Sequence, residues 1–254
     1  MTDNLETTLK AFDLFGKLDP EKRVEIIKPK VIRNETLDRI VEGYEKGLEN
    51  LGLYEKGKLK IEIPEGEYWG HYIAKSSAPS KTSSNNITEF SLLLGEHENK
   101  TYFRDFTGWY LSALINSSRD KDFKIITNYL SKTIHHIGYE NTKNIDVNGN
   151  AGDYVGDRMK DGKITVNGNA GWGVGWNMEG GKITVNGNAR WGVGEGMKNG
   201  EITVNGNAGD WVGNGMKRGE IHLNGDYESL SRNIFGGNIY HKGKLIVRNG
   251  RRLI

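Results

Sequence analysis

The sequence predicts a mainly β fold: a right-handed parallel β-helix of 19-residue coils over 145–254, preceded by an α+β region over 1–144. Three observations carry this. Near-identical segments start at Ile145, Ile164, Ile183 and Ile202, with a decayed copy at Ile221, and the spacing between starts never varies. Each strict copy opens on Ile-x-Val, an alternation that makes a short strand with one buried face. The 35 glycines, about twice the ordinary usage of ~7%, crowd into the second half of the chain, where they mark regular turns.

Within a copy, Ile164-Thr165-Val166 is followed at once by Asn167-Gly168, a pair that tolerates positive φ and so turns the chain. Ala170, Val174 and Met178 supply the other apolar positions, as Ala189, Val193 and Met197 do one copy later. One copy cannot bury these alone. Stacked in register about 4.8 Å apart, the copies place Ile on Ile, Val on Val and Met on Met in a continuous core. Two asparagine columns follow, Asn148, Asn167, Asn186, Asn205 and Asn224 in one and Asn150, Asn169, Asn188 and Asn207 in the other, whose amides are expected to bridge coils. A left-handed hexapeptide helix would need an aliphatic residue at every sixth place, which the apolar offsets here do not give. A calcium-binding nonapeptide roll would need recurring Asp, whereas Asp153 and Asp210 occur in two copies only. The crossover preference of parallel strands then selects the right hand. The run from Leu245 (LIVRNG) reads as a last strand, set further from Ile221 than one regular period.

The first 144 residues lack this period. Leu5, Leu9, Phe12 and Phe15 share one helical face, and Asp19-Pro20-Glu21 has the form of a helix start. Asn34 precedes a stronger helix with Leu37, Ile40, Val41, Tyr44, Leu48 and Leu51 as its apolar stripe. Alternation at Leu59, Ile61 and Ile63 suggests a strand, with a second over 68–74 and a mobile Ser-rich loop over 76–86. A last helix is expected over 120–137, turning Phe123, Ile126, Leu130, Ile134 and Ile137 inward. Gly57-Lys58-Leu59-Lys60-Ile61 followed by Trp69-Gly70 faintly echoes the repeat, as an extra degenerate coil would. A solenoid has open ends, so this region is expected to cap one and the irregular tail from Tyr227 the other.

Lys and Arg number 35 against 33 Asp and Glu, a net charge of +2, so nucleic acid is not the expected partner. The absence of cysteine excludes disulfides, thiolate metal sites and a Cys nucleophile within the chain. No apolar run reaches the ~20 residues of a membrane span and the N-terminus has no signal-like h-region, so a cytoplasmic protein without membrane contact is expected. Gly192-Val193-Gly194-Glu195-Gly196 is a turn shared by the coils rather than a dinucleotide fingerprint, because no long strand and helix flank it. Adjacent His135 and His136 would diverge on a helix, and Glu96-His97-Glu98 reads as a solvated turn. Neither suggests a metal site, and no catalytic set or cofactor is expected.

The solenoid's aromatic residues are the better lead. Trp172 and Trp191 share one repeat position, Tyr154 and Trp211 share the next, and Trp176 projects from a nearby turn. They form a candidate interaction stripe for a protein partner or a second copy, with corner packing and carbohydrate stacking as alternatives.

Gly168-Asn169-Ala170-Gly171, Val174-Gly175, Met178 and Gly181-Lys182-Ile183-Thr184-Val185 together resemble the GXGXG repeat. That repeat builds the C-terminal β-helix of glutamate synthase large subunits and the β-helical subunit of archaeal formylmethanofuran dehydrogenase. The resemblance covers 145–226, about a third of the chain. It implies a β-helix with a structural role, or one of contact between subunits, that carries no catalytic residues and accompanies the subunit holding the metals. The chain departs from glutamate synthase in having no amidotransferase cysteine, flavin domain or cluster ligands. The expected function is therefore a non-catalytic scaffold or protein-interaction protein. The alternatives are an accessory subunit of a redox or amidotransfer complex, and a hydrolase or carbohydrate-binding protein with its active residues in the first 144.

Overall fold

The Ile-x-Val alternation becomes the central ladder of the molecule. In the computed structural model, which describes residues 31, 33–65 and 67–253, seven short strands pair in parallel and in chain order. They are β1 (Asp122–Ile126), β2 (Asn144–Asn148), β3 (Lys163–Val166), β4 (Lys182–Val185), β5 (Glu201–Val204), β6 (Glu220–Leu223) and β7 (Asn238–His241). Register is residue for residue, so Ile145, Ile164, Ile183, Ile202, Ile221 and Ile239 form one buried column. Val147, Val166, Val185, Val204 and Leu223 form the next. Ala170, Ala189 and Ala208 bridge coil to coil on a second wall, and Val155, Val174, Val193, Val212 with Met159, Met178, Met197, Met216 fill the interior. This is a parallel β-solenoid of 19-residue coils.

Glycine is required where coils approach most closely. Gly156, Gly175 and Gly194 all sit at φ near +70°, and a Cβ on any of them would overlap the Ile side chain two rungs on. The asparagines ladder in two chemically different ways. Asn186, Asn205 and Asn224 each donate from Nδ2 to the side-chain oxygen of the asparagine below, at 2.7–2.9 Å, while Asn167 donates to Asp146. In the second column each side-chain oxygen instead accepts a backbone N–H from the next coil, as Asn169 does from Asn188.

The expected helix over 120–137 does not form; its first residues are β1, the first rung of the solenoid. Phe123 pairs with Ile145, so this coil is longer than the regular period. Later in the same coil, Ile137-Gly138 stands just short of a full period before Val155-Gly156, with Gly156 N–H donating to the Ile137 carbonyl and Gly138 at φ +80°. The extra residues are looped out between these points, which removes the fixed spacing. At the other end, the strand expected from Leu245 is no parallel rung. Ile221 pairs with Ile239, one place short of a period, and β8 (Lys244–Arg248) and β9 (Arg251–Arg252) then fold back antiparallel to close the ladder.

Among the described residues four helices precede the ladder: α1 (Glu35–Glu55), α2 (Trp69–Ser77), α3 (Ser84–Leu93) and α4 (Phe103–Ser117), with a 3₁₀ turn at Leu94–Glu96. The features expected at Leu5–Phe15 and Asp19-Pro20 lie outside the described residues. Asn34 caps α1 by accepting the Leu37 N–H at 2.9 Å, and the predicted stripe faces the core with only Leu48 half-buried. The strands expected at 59–63 and 68–74 are absent: the first run is irregular, and the second is α2, so the degenerate coil echoed there does not exist. Trp69, Ile73 and Ser77 are spaced by four, and Gly70 lets Trp109 of α4 pack onto the helix backbone. The Ser-rich stretch shrinks to a connection over 78–83, since Ser77 ends α2 and Ser83 N-caps α3. α4 is buried nearly all round and forms the centre of this region.

α3 covers the open edge of β1. Thr88 Oγ1 donates to the Lys124 carbonyl at 2.8 Å, and Ser91 Oγ accepts the Ile126 N–H at 3.1 Å. These bonds satisfy strand groups that would otherwise present a free edge. One continuous apolar core runs from α1 through every coil.

Candidate functional site

The aromatic stripe is real and longer than the repeat alone suggests. It begins on α4 with Trp109, which stacks on His136 at 4.6 Å. His136 stacks on Tyr154 (4.8 Å, 9°), Tyr154 meets Trp172 edge-on (4.1 Å), Trp172 stacks on Trp191 (4.8 Å, 3°), and Trp191 meets Trp211 edge-on (5.4 Å, 82°). Trp176 packs edge-on to Tyr154 and Trp172. Exposure rises along the run. Trp109 is 8% exposed, Tyr154, Trp172 and Trp176 are half-buried, Trp191 is 39% exposed and Trp211 55%. Corner packing therefore accounts for the root of the stripe and leaves its tip open to solvent. Burial raises the Tyr154 hydroxyl to about 12.

Three of these rings occupy costly backbone. His136, Tyr154 and Trp211 sit at φ +56°, +60° and +61°, and the last two share a repeat position with Gly173 (+70°) and Gly192 (+76°). A bulky side chain in the left-handed region is an outlier, with a cost of order 1 kcal/mol or more. For Tyr154 the packing against His136, Trp172 and Trp176 offsets that cost. For Trp211 the only ring contact among the described residues is Trp191. Beside the tip lies an open groove of about 380 Å³ lined by Asn188, Arg190, Trp191, Asp210 and Glu228. Glu228 is held above the usual carboxylate range by its hydrogen bond with Asp210.

The root of the stripe joins the helices to the solenoid through histidine–aspartate contacts. Asp105 of α4 lies 3.1 Å from His135 Nδ1 and 3.7 Å from His136 Nε2. On the solenoid side Asp153 is 3.6 Å from His135 Nε2, and buried Asp157 is 3.8 Å from His136 Nδ1. The expected divergence of the two histidines on a helix does not apply, because His136 is a turn residue at φ +56°. His136 Nδ1, Trp109 Nε1, Tyr139 Oη and Asp157 Oδ1 are buried here with no hydrogen bond. Among the described residues no three His, Asp or Glu side chains are placed so that together they could hold a metal ion. The expected solvated turn at Glu96-His97-Glu98 is instead structural: His97 is buried edge-on to Tyr44, and Glu98 accepts the backbone N–H groups of Ser131 and Lys132.

Partial burial pushes the Asp105 carboxyl up, but its hydrogen bond to His135 and the charges of His135, His136 and Arg104 together hold it below the usual aspartate value. A depressed folded-state value contributes stability above the unfolded pKa and loses it as pH falls through the folded one. Asp105→Asn is therefore expected to remove part of the acid-side loss of stability, lowering the melting temperature at pH 7 while leaving it nearly unchanged at the lowest pH. Melting curves of both proteins across the acid range check this.

No helix among the described residues is long and apolar enough to cross a membrane. Comparison of the chain with family models and with curated proteins gives no match.

Proposed function

We propose that the chain is a non-catalytic scaffold whose solenoid presents the tip of the aromatic stripe, Trp191 and Trp211, to a protein partner or a second copy of itself. Trp211 carries the reading. It is more than half exposed and held in left-handed backbone where the two preceding coils use glycine, so a costly conformation is adopted at the place where it presents an aromatic ring to solvent. Edge-on contact with Trp191, which is itself stacked on Trp172 toward the buried root, fixes the rings in advance and lowers the entropy lost on binding. Exposed tryptophans at a polar-rimmed groove are the composition of an interaction hot spot. Sugar binding is less favoured, because Trp172 and Trp191 lie face to face and close one ring face each to stacking. A cytoplasmic setting accords with a chain that has no cysteine.

The GXGXG-like repeat supports a narrower version, an accessory subunit of a redox or amidotransfer complex. Native purification from the source organism, followed by mass measurement of the intact assembly, distinguishes the two. A metal- or flavin-bearing companion supports the narrower version, and a homo-oligomer or other partner the broader one. Trp191→Ala with Trp211→Ala is expected to weaken the assembly by about 2 kcal/mol or more, some thirtyfold in affinity. A strict monomer with no companion, or an assembly indifferent to both substitutions, overturns the proposal.

A further inference from the structure

The net charge of +2 conceals a separated charge at the solenoid's C-terminal end. From Leu230 onward the sequence holds Arg232, Lys242, Lys244, Arg248, Arg251 and Arg252 and no Asp or Glu. The fold adds Lys217 and Arg218 to the same end, together with the carboxylate of Glu220, which lies against His222, Asn238 and Tyr240. Phe235 N–H donates to the Met216 carbonyl, Gly236 packs on the Lys217 backbone, and the Gly250 turn of the β8–β9 hairpin packs on Ile234 and Phe235. Lys242 pairs with Asp226 at 2.7 Å, and Arg252 donates to the carbonyls of Leu230 and Ser231, which leaves its charge uncompensated. Lys217, Arg218, Arg232, Lys244, Arg248 and Arg251 are exposed and make no ion pair among the described residues. Within this basic end Phe235 is 72% exposed and Leu253 50%.

We propose that this end of the solenoid docks on an anionic phospholipid surface, with Phe235 and Leu253 entering the interface and the surrounding Arg and Lys meeting the headgroup phosphates and carboxylates. Peripheral membrane binding needs this pairing: apolar side chains that leave water, and basic residues attracted to the negative leaflet. The two features occur together here. A nucleic acid is less well served, because its backbone calls for a positive track. Along the solenoid wall three lysines are paired with carboxylates, Lys160 with Glu140, Lys182 with Glu201 and Lys198 with Glu179. The positive charge gathers round an apolar tip instead. The residues named for this surface differ from Trp191 and Trp211, so the two docking sites can be substituted independently.

The experiment is co-sedimentation of the full chain with vesicles of phosphatidylcholine and phosphatidylserine, against vesicles of phosphatidylcholine alone. Binding is expected only to the anionic vesicles, to fall steeply with salt, and to survive Trp191→Ala with Trp211→Ala. Arg248→Glu with Arg251→Glu is expected to weaken it about tenfold or more. Phe235→Ser is expected to weaken it while leaving the salt dependence intact. These positions are exposed, and unchanged circular dichroism and melting of the variants guard against misfolding. No binding to anionic vesicles, equal binding to neutral ones, or displacement from vesicles by a single-stranded oligonucleotide or polyglutamate at lower concentration overturns the proposal.

Discussion

Gly175→Ala is expected to destabilise the protein by about 3 kcal/mol, whereas Gly243→Ala costs about 1 kcal/mol. Both glycines lie at positive φ, +70° and +76°, so the conformational penalty of an L side chain is common to both. The surroundings differ. A Cβ on Gly243 meets nothing within 4 Å, while one on Gly175 overlaps Cδ1 of Ile202, itself fixed in the fully buried isoleucine column. The difference between the two variants therefore isolates the close approach of one coil to the coil two rungs on. Urea unfolding of both proteins, with equal slopes required before comparison, measures it. Equal losses would mean that the turn conformation alone demands glycine.

Gly108→Ala is expected to be at least as damaging and to act elsewhere. The new methyl would overlap the carbonyl oxygen of His135, a contact of backbone on backbone that no side-chain rotation relieves. Either α4 or the 134–138 turn must move, and with it the Asp105–His135 bond and the Trp109–His136 stack. A loss of about 3 kcal/mol or more follows from overpacking with broken junction contacts. Hydrogen exchange should rise first in α4 and around His136, while the amides of β3 to β6 stay protected, because a solenoid's coils depend mainly on their neighbours. Uniform loss of protection through all coils would show that cap and solenoid melt as one unit.

The solenoid was legible because its physics is periodic. Ile on Ile and Met on Met require the same residue at the same offset in every coil, so strands, turns and core could be read from one alignment of the chain with itself. The first coil escaped because its packing positions survive while its spacing does not. Phe123 and Ile125 took the strand places, Ile137-Gly138 repeated Val155-Gly156, and a looped insertion between them broke the count. That Ile-Gly pair was the one available signal. The Tyr68–Ala74 run was ambiguous on its face, since alternation and a four-residue spacing share Trp69 and Ile73. What decided it was Trp109, distant in sequence, packing onto Gly70.

The candidate site divides in the same way. The stripe was visible in Tyr154, Trp172, Trp176, Trp191 and Trp211 because they recur at repeat positions. Its continuation through His136 to Trp109 depends on the helical cap docking on the first coil, for which the sequence has no local signal. The left-handed conformation of Trp211 could have been suspected from Gly173 and Gly192 in the same column. The basic end was hidden by a whole-chain charge balance that averages over the fold.

Deleting one complete coil tests the stacked-coil account most directly. Removal of 183–201 joins Lys182 to Ile202 and keeps every column in register, whereas removal of 183–200 leaves one residue more than the period, which must be looped out at a turn or push the next strand out of register. The measurement is the urea unfolding transition of each shortened protein, followed by far-ultraviolet circular dichroism. The whole-coil deletion should fold with β-rich dichroism and a cooperative transition at modestly lower stability, and the deletion one residue shorter should be clearly less stable than it. Equal stability of the two deletions, or failure of both to fold, would contradict a solenoid held together by interchangeable, register-locked coils.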